Sequence, residues 1–428
     1  MRLGGRIAAA SEVLTDMAAR KRPVADALKD WGLSHRFAGS GDRAAIGNLS
    51  YDALRKKSSL GWRMGDDAPL SLVVGVLFDG WNETPESLAA KLEGDKFAMA
   101  LPENLSHFHA SNLSDAPAHV QADLPEWAMT SLGSTLGDDL ITEGQALTQR
   151  PPVDIRANRL LSSRDKVLAD LPKDIGTTAS DLAVDGIRIP AGPRDYRQPN
   201  IQAEPAFQKG WFEIQDEGSQ IVAQLIGAKP GHSVLDYCAG GGGKTLALAS
   251  MLENKGQIYA TDSDKSRLAP IFERIKRAET RNVQVRPARS DLSDLLGAID
   301  HVVIDAPCTG AGTWRRRPDA KWRLGEGQLQ QRMKEQSEIL EVAKAFVKIG
   351  GHLVYITCSL FAEENENQVA SFLASNAAFK ALPAAQVLAS AMPSANPAQF
   401  ILGANGVTLT AHRTGTDGFF ISLLQRNS

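Results

Sequence analysis

From about residue 205 onward the chain alternates short apolar runs with amphipathic stretches, and this alternation restricts the fold more than any other feature. SVLDYCA precedes a helical pattern at 244–253, QIYATD one at 264–278, HVVIDAP one near 327–348, and HLVYITCS one at 363–374. Strands that alternate with helices in this order build a doubly wound parallel sheet, because each right-handed crossover lays a helix on one of its faces. Near the end, GVTLTAHR and GFFISLLQ predict a hairpin that closes one edge. Ligands of such sheets bind beyond the carboxyl ends of the strands. The strand ends are therefore where chemistry is expected.

One strand end runs straight into glycine: DYCAGGGGKT at 236–245. Glycine is needed where backbone approaches a ligand or takes a positive φ, and a helix start behind it offers free N–H groups. A phosphate-binding P-loop needs glycine where this chain has Cys238, and a dinucleotide loop needs it where Thr245 or Leu246 stands. The next strand ends on Asp262, roughly 20 residues further, where an acidic residue reaches ribose hydroxyls. A nucleoside cofactor without a polyphosphate fits this pattern. S-adenosylmethionine meets that description, and carboxylates at strand ends such as Asp236 and Asp305 favour its positive sulfonium. Asp291, taken as the end of the strand-like VQVRPARSD, is expected on the adenine side.

The chain has three cysteines, with no CxxC or Cys/His spacing that would support a disulfide framework or a structural zinc. Cys238 lies inside a strand exit and reads as a small buried residue. Cys308 in DAPC and Cys358 in ITCS each follow a strand on the cofactor side, ahead of a turn or helix start that can stabilise a thiolate. A methyl donor beside two thiols suits one demanding reaction. Carbon 5 of a pyrimidine becomes nucleophilic once a thiolate adds at carbon 6, and a second group then assists release. Either cysteine could attack on these grounds.

LDYCAGGGGKT, ATDSDKSRL, VVIDAPCTGAGTWRRRPDAKW and GGHLVYITCSLFAEENENQV resemble, in order and spacing, the signature segments of the Sun-type RNA cytosine-5 methyltransferases, with WFEIQDEGSQIVAQLI as lead-in and HRTGTDGFF as closing strand. The resemblance is specific over 205–428 and extends over 125–200 through PPVDIRANRLLSSRD. It implies that Cys358 attacks, that Cys308 promotes release, and that Asp305 and Pro307 position the base. The cofactor pocket it implies takes in Asp236, Cys238, Ala239, Gly240, Gly242, Gly243 and Lys244 along the loop, with Asp262, Arg267, Asp291 and Asp305. Gly240 and Gly241 stand where the family usually has Ala-Pro, a departure expected to loosen the loop. Thr309 replaces a usual serine.

The expected domains are a helical one over 1–124, whose pattern is similar to the NusB-like RNA-binding domain of the bacterial rRNA enzymes, a small α/β segment with linker over 125–204, and the methyltransferase domain over 205–428. After Cys308, Arg315, Arg316, Lys321 and Trp322 are expected to hold RNA by phosphate contacts and stacking, joined by Arg156 and Arg159 from the linking segment. Basic clusters at 20–22 and 55–57, the latter followed by Trp62 and Arg63, offer further RNA-facing charge. A net charge of −3 means that any nucleic-acid binding comes from such local patches. The longest apolar run, LSLVVGVLF at 70–78, is too short to span a bilayer, and the start lacks a secretory core. The expectation is a cytoplasmic monomer without metal, acting on small-subunit (16S) rRNA. The same reaction on tRNA, or an atypical P-loop nucleotide hydrolase, stands as the alternative.

Overall fold

The computed structural model describes residues 1–103 and 105–428. Its chain divides into two compact units. One comprises Met1–Pro151, Ala191–Pro199 and Trp314–Leu324; the other comprises Pro152–Pro190, Asn200–Thr313 and Gly325–Ser428.

The first unit is helical. Its central helix, Pro69–Gly80, is the LSLVVGVLF run, and Ser71 through Phe78 are all buried along it. A helix apolar on every side must be surrounded by others, and Ile7, Val13, Ile46, Leu49, Leu60 and Met64 from neighbouring helices enclose it. Among the described residues no helix is long and apolar enough to cross a membrane. Helical structure does not stop at 124: Met129–Leu136 and Leu140–Leu147 continue it. Gly144 lies so close to Ala122 that a Cβ there would come within 2.4 Å of the Ala122 carbonyl oxygen. This tight packing carries the boundary to Pro151.

The basic clusters of this unit are held internally. Arg22 pairs with Asp16 and Asp30, Lys56 and Arg63 share Asp79, and Arg55 bonds Asp52 and the carbonyl of Arg315.

The second unit holds two sheets. The small one has the order β2-β3-β1-β4, from β1 (Val153–Ala157), β2 (Thr178–Ala179), β3 (Gly186–Ile189) and β4 (Phe212–Ile214). Because β4 pairs with β1, the expected boundary at 204 cuts through this sheet and is corrected. The Ser163 side chain caps the helix Arg164–Asp170, accepting from Lys166 N.

The large sheet contains β5 (Ser233–Asp236), β6 (Gln257–Ala260), β7 (Val283–Val285), β8 (Ile299–Asp305), β9 (Val347–Thr357), β10 (Phe379–Ala381), β11 (Ile401–Leu402), β12 (Val407–Leu409) and β13 (Phe419–Arg426). Its order is β11-β12-β13-β9-β8-β5-β6-β7, with β10 on β13. The pairs from β7 to β9 are parallel, and β13 runs antiparallel between β9 and β12.

Successive strand residues alternate between two cores. Val234, Val303 and Val354 face the helices Glu217–Leu225 and Gly243–Met251, while Leu235, Val302 and Leu353 face Glu326–Ala343 and Glu366–Ser375. Both faces are thus covered, as the doubly wound pattern predicts. The helix expected over 264–278 is broken into Lys265–Leu268 and Ile271–Arg277, since Pro270 between them has no N–H to donate.

At the opposite rim from the glycine loop, His232, His301 and His352 form a row. His232 Nδ1 lies 3.0 Å from His301 Nε2, and the His301 and His352 rings stack at 5.3 Å. Burial, then the two neighbouring rings, pulls the His301 pKa down to about 3. The unfolded chain therefore binds this proton first, so the contribution of His301 to stability is complete above about pH 6.5 and falls as pH drops toward 3. We expect urea denaturation followed from pH 7 to pH 4 to show a declining midpoint, with a shallower decline in His301→Leu.

Candidate active site

The site begins where β5 ends. Asp236 is fully buried; its Oδ2 accepts from Thr245 Oγ1 at 2.6 Å, and its Oδ1 has no hydrogen-bond partner. Burial, with Asp305 and Asp262 nearby, pushes its pKa up to about 7 against the Thr245 bond. A cavity of about 190 Å³ opens here, lined by Ser219, Asp236, Cys238, Ala239, Gly240, Gly241, Gly243, Lys244, Arg267 and Asp305.

Gly242 caps the following helix at φ 81°, and a Cβ on it would come within 2.5 Å of Ile271. Only glycine fits there. The Gly240 N–H donates to Asp262 Oδ2 at 2.9 Å, and the Gly241 carbonyl accepts from Arg274 Nη1 at 2.7 Å. Both departing glycines are thus held by hydrogen bonds. Gly240 also sits at φ 48°, a conformation that alanine would resist.

Asp262 is buried, with its Oδ1 accepting from Asp264 N at 2.9 Å; each oxygen keeps a second lone pair for a ligand. Lys244 Nζ, on a side chain 5% exposed, pairs with Asp305 Oδ2 at 2.8 Å and lies 3.4 Å from Ser219 Oγ. Its ammonium also stands 5.1 Å over the Phe419 ring. Burial and the carboxylates of Asp236, Asp262 and Asp305 raise the Cys238 thiol, keeping it neutral. Asp291 is placed otherwise than expected. It is exposed, beyond the end of β7 at Val285, and accepts from Ser293 N and Oγ at 2.9 Å.

The two remaining cysteines leave adjacent parallel strands. Asp305 of β8 stands beside Ile356 of β9, and a few residues later the Cys308 and Cys358 sulfurs lie 3.4 Å apart. The hydrogen bond with Cys358, then burial, drives the Cys308 pKa well above the usual thiol range. The Gly312 N–H donates to the Cys358 carbonyl at 2.9 Å, closing the DAPC turn onto the TCS turn.

Several expected RNA contacts are corrected. Lys321 is 1% exposed, and its Nζ donates to the carbonyls of Arg55 (2.9 Å) and Asp123 (2.6 Å) within the helical unit. Burial pulls its pKa down to about 8. Arg315 is also buried, and Trp322 Nε1 donates to the Leu54 carbonyl at 2.7 Å. These side chains anchor the segment instead of presenting it. Arg156 is buried as well, its Nε donating to Gln215 Oε1 at 2.7 Å. Arg316 is half-buried; Arg159 is exposed and paired with Asp185 at 2.7 Å. Sequence reasoning missed Ser219, Gln336, Glu364 and Asn365; the polar runs QDEGSQ and AEENEN within the signature segments were the available signal for all but Gln336.

The 16S rRNA methyltransferase RsmB/F family matches residues 223–425. Ribosomal RNA small subunit methyltransferase B of Sodalis glossinidius is 35% identical over 361 residues, covering 78% of this chain and 81% of that one. The chain belongs to this family. The enzyme of the same name from an Enterobacter species is 34% identical over 254 residues, spanning 58% of this chain and 57% of the relative. The chain thus spans little more than half the length of some curated RsmB/F relatives it matches.

Among solved structures, PH0851 superposes over 100% of this chain and 99% of its own, with TM-score 0.74 and 25% identity. NSun6 from Pyrococcus horikoshii covers 71% of this chain and 98% of its own, with TM-score 0.61 and 23% identity. Membership makes S-adenosylmethionine the cofactor of the family's sheet, and the residues suit it. An unpartnered buried carboxyl oxygen beside two further carboxylates fits a cationic ligand.

Proposed function

We propose that this RsmB/F chain methylates carbon 5 of a cytosine in 16S rRNA through a covalent Cys358 intermediate. The observation that carries the reading is the 3.4 Å approach of two cysteine sulfurs beside a carboxylate-lined cavity at the strand ends. Asp236, the glycine loop and Asp262 would hold S-adenosylmethionine, which would supply the methyl group.

Cys358 adds through sulfur to carbon 6, and the electron pair moves to carbon 5, which becomes enamine-like and nucleophilic. At 3.4 Å a Cys308 thiol can hydrogen-bond to the Cys358 sulfur while Cys358 attacks. Asp305, steadied by Lys244, orients the cytosine edge, and the Pro307 turn limits where the ring lies. After methyl transfer a base accepts the carbon 5 proton, the C–H pair forms the carbon 5–carbon 6 double bond, and the carbon 6–sulfur bond breaks with its pair returning to Cys358. Cys308 promotes this release. The target must leave its stack to reach the site, and Arg316 and Arg159 remain the proposed RNA contacts.

The test is transfer of tritiated methyl from S-adenosylmethionine to unmodified 16S rRNA, with bisulfite sequencing of the product. We expect one protected cytosine. Label on tRNA alone would move the substrate, and label outside cytosine would overturn the reaction.

A further inference from the structure

Glu364 and Asn365 are adjacent, buried and polar; Glu364 grips the Cys308 turn and also meets the Ser359 hydroxyl, while Asn365 grips the Cys358 turn. Glu364 Oε1 accepts from Thr309 N at 2.9 Å and from Gln336 Nε2 at 2.9 Å, while Oε2 accepts from Thr309 Oγ1. Gln336 Nε2 also donates to the Pro307 carbonyl at 3.0 Å. Both residues flanking Cys308 are therefore tied to one carboxylate, directly or through Gln336.

The neighbouring Asn365 repeats the arrangement around Cys358. Its Oδ1 accepts from Thr357 Oγ1 at 2.6 Å and its Nδ2 donates to the Ser359 carbonyl at 2.9 Å. Thr309 Oγ1 lies 3.2 Å from Ser359 Oγ, which joins the two grips. The Tyr355 hydroxyl donates to the Glu364 carbonyl at 2.7 Å, fixing the pair to β9. Glu364, Asn365, Gln336, Thr357 and Ser359 are all at most 1% exposed, so none of these bonds is diluted by water.

We infer that Glu364 and Asn365 are positioning residues with divided duties, Glu364 setting Cys308 for release and Asn365 setting Cys358 for attack. The inference rests on the reaction proposed above. A group that holds only the releasing turn differs in consequence from one that holds the attacking turn. Loosening the first leaves addition and methyl transfer intact while the adduct persists; loosening the second prevents the adduct from forming. A merely structural role would lower both together.

The experiment compares Glu364→Gln and Asn365→Ala with wild type and Cys308→Ala on 16S rRNA transcribed in vitro. It reads methyl turnover and the RNA–protein adduct surviving denaturing electrophoresis. For Glu364→Gln we expect turnover reduced at least tenfold, an unchanged KM for RNA, and adduct approaching the Cys308→Ala level. For Asn365→Ala we expect a similar loss of turnover with no adduct. Should Glu364→Gln fail to fold, Gln336→Met releases the Pro307 tie and is expected to accumulate adduct in the same way. Adduct with Cys308→Ala but none with Glu364→Gln or Gln336→Met overturns the inference alone. No adduct with Cys308→Ala overturns the reaction and the inference with it.

Discussion

Cys358→Ala is expected to abolish methyl transfer and to leave no covalent RNA complex, whereas Cys308→Ala is expected to slow turnover and trap one. The two sulfurs are 3.4 Å apart, so either variant removes a thiol from the same small space. Their consequences differ because in the proposed reaction only Cys358 forms a bond to carbon. Loss of a nucleophile that acts through a covalent intermediate lowers turnover by at least about 10⁴-fold. Loss of a group that promotes elimination costs roughly the 10²–10⁴-fold typical of a positioned proton-transfer residue, and the enzyme then stalls after the methyl has moved. Denaturing electrophoresis with radiolabelled RNA separates the cases. An adduct with Cys358→Ala and none with Cys308→Ala would exchange the two roles.

Asp305→Ala is expected to be the most destabilising change at the site. Lys244 is 5% exposed and has Asp305 as its carboxylate partner at 2.8 Å, so the variant leaves a buried ammonium to the Ser219 hydroxyl, the Phe419 face and the more distant Asp236 carboxylate. Breaking one side of a buried pair costs about 3–5 kcal/mol. Because the Asp305 side chain is 36% exposed, the lower end applies. Lys244→Met should cost less, since the stranded carboxylate can hydrate. The double variant should be more stable than Asp305→Ala alone, the excess being the coupling between the groups. Urea denaturation of the four proteins measures it.

The parallel sheet, its glycine loop and its closing antiparallel strand were legible because strand ends carry local signals: Asp236 before glycine, Asp305 before Pro307, Thr357 before Cys358. The roles of the cysteines were not legible from local pattern and came from resemblance. What failed was the reading of charge as surface. Lys321, Arg315 and Arg156 sit in sequences that look like solvated basic patches, yet all three are buried, Lys321 donating to two carbonyls and Arg156 Nε to a glutamine amide oxygen. A charged side chain announces its cost of burial but not the partner that offsets it, and those partners are distant in sequence. For Asp291 only the strand end was misplaced, since β7 ends at Val285 and the aspartate belongs to a later turn.

The assignment of Trp314–Leu324 to the helical unit has a consequence for synthesis. Lys321 is separated from Asp123, whose carbonyl it satisfies, by 198 residues. At about 5–20 residues per second the ribosome takes roughly 10–40 s to make that stretch. Throughout this interval the helical unit has emerged, but the carbonyls of Leu54, Arg55 and Asp123 wait for donors not yet translated. The first part of the chain to be made is therefore among the last to be completed, and a nascent chain is open to chaperones until the turn beyond Cys308 has been delivered.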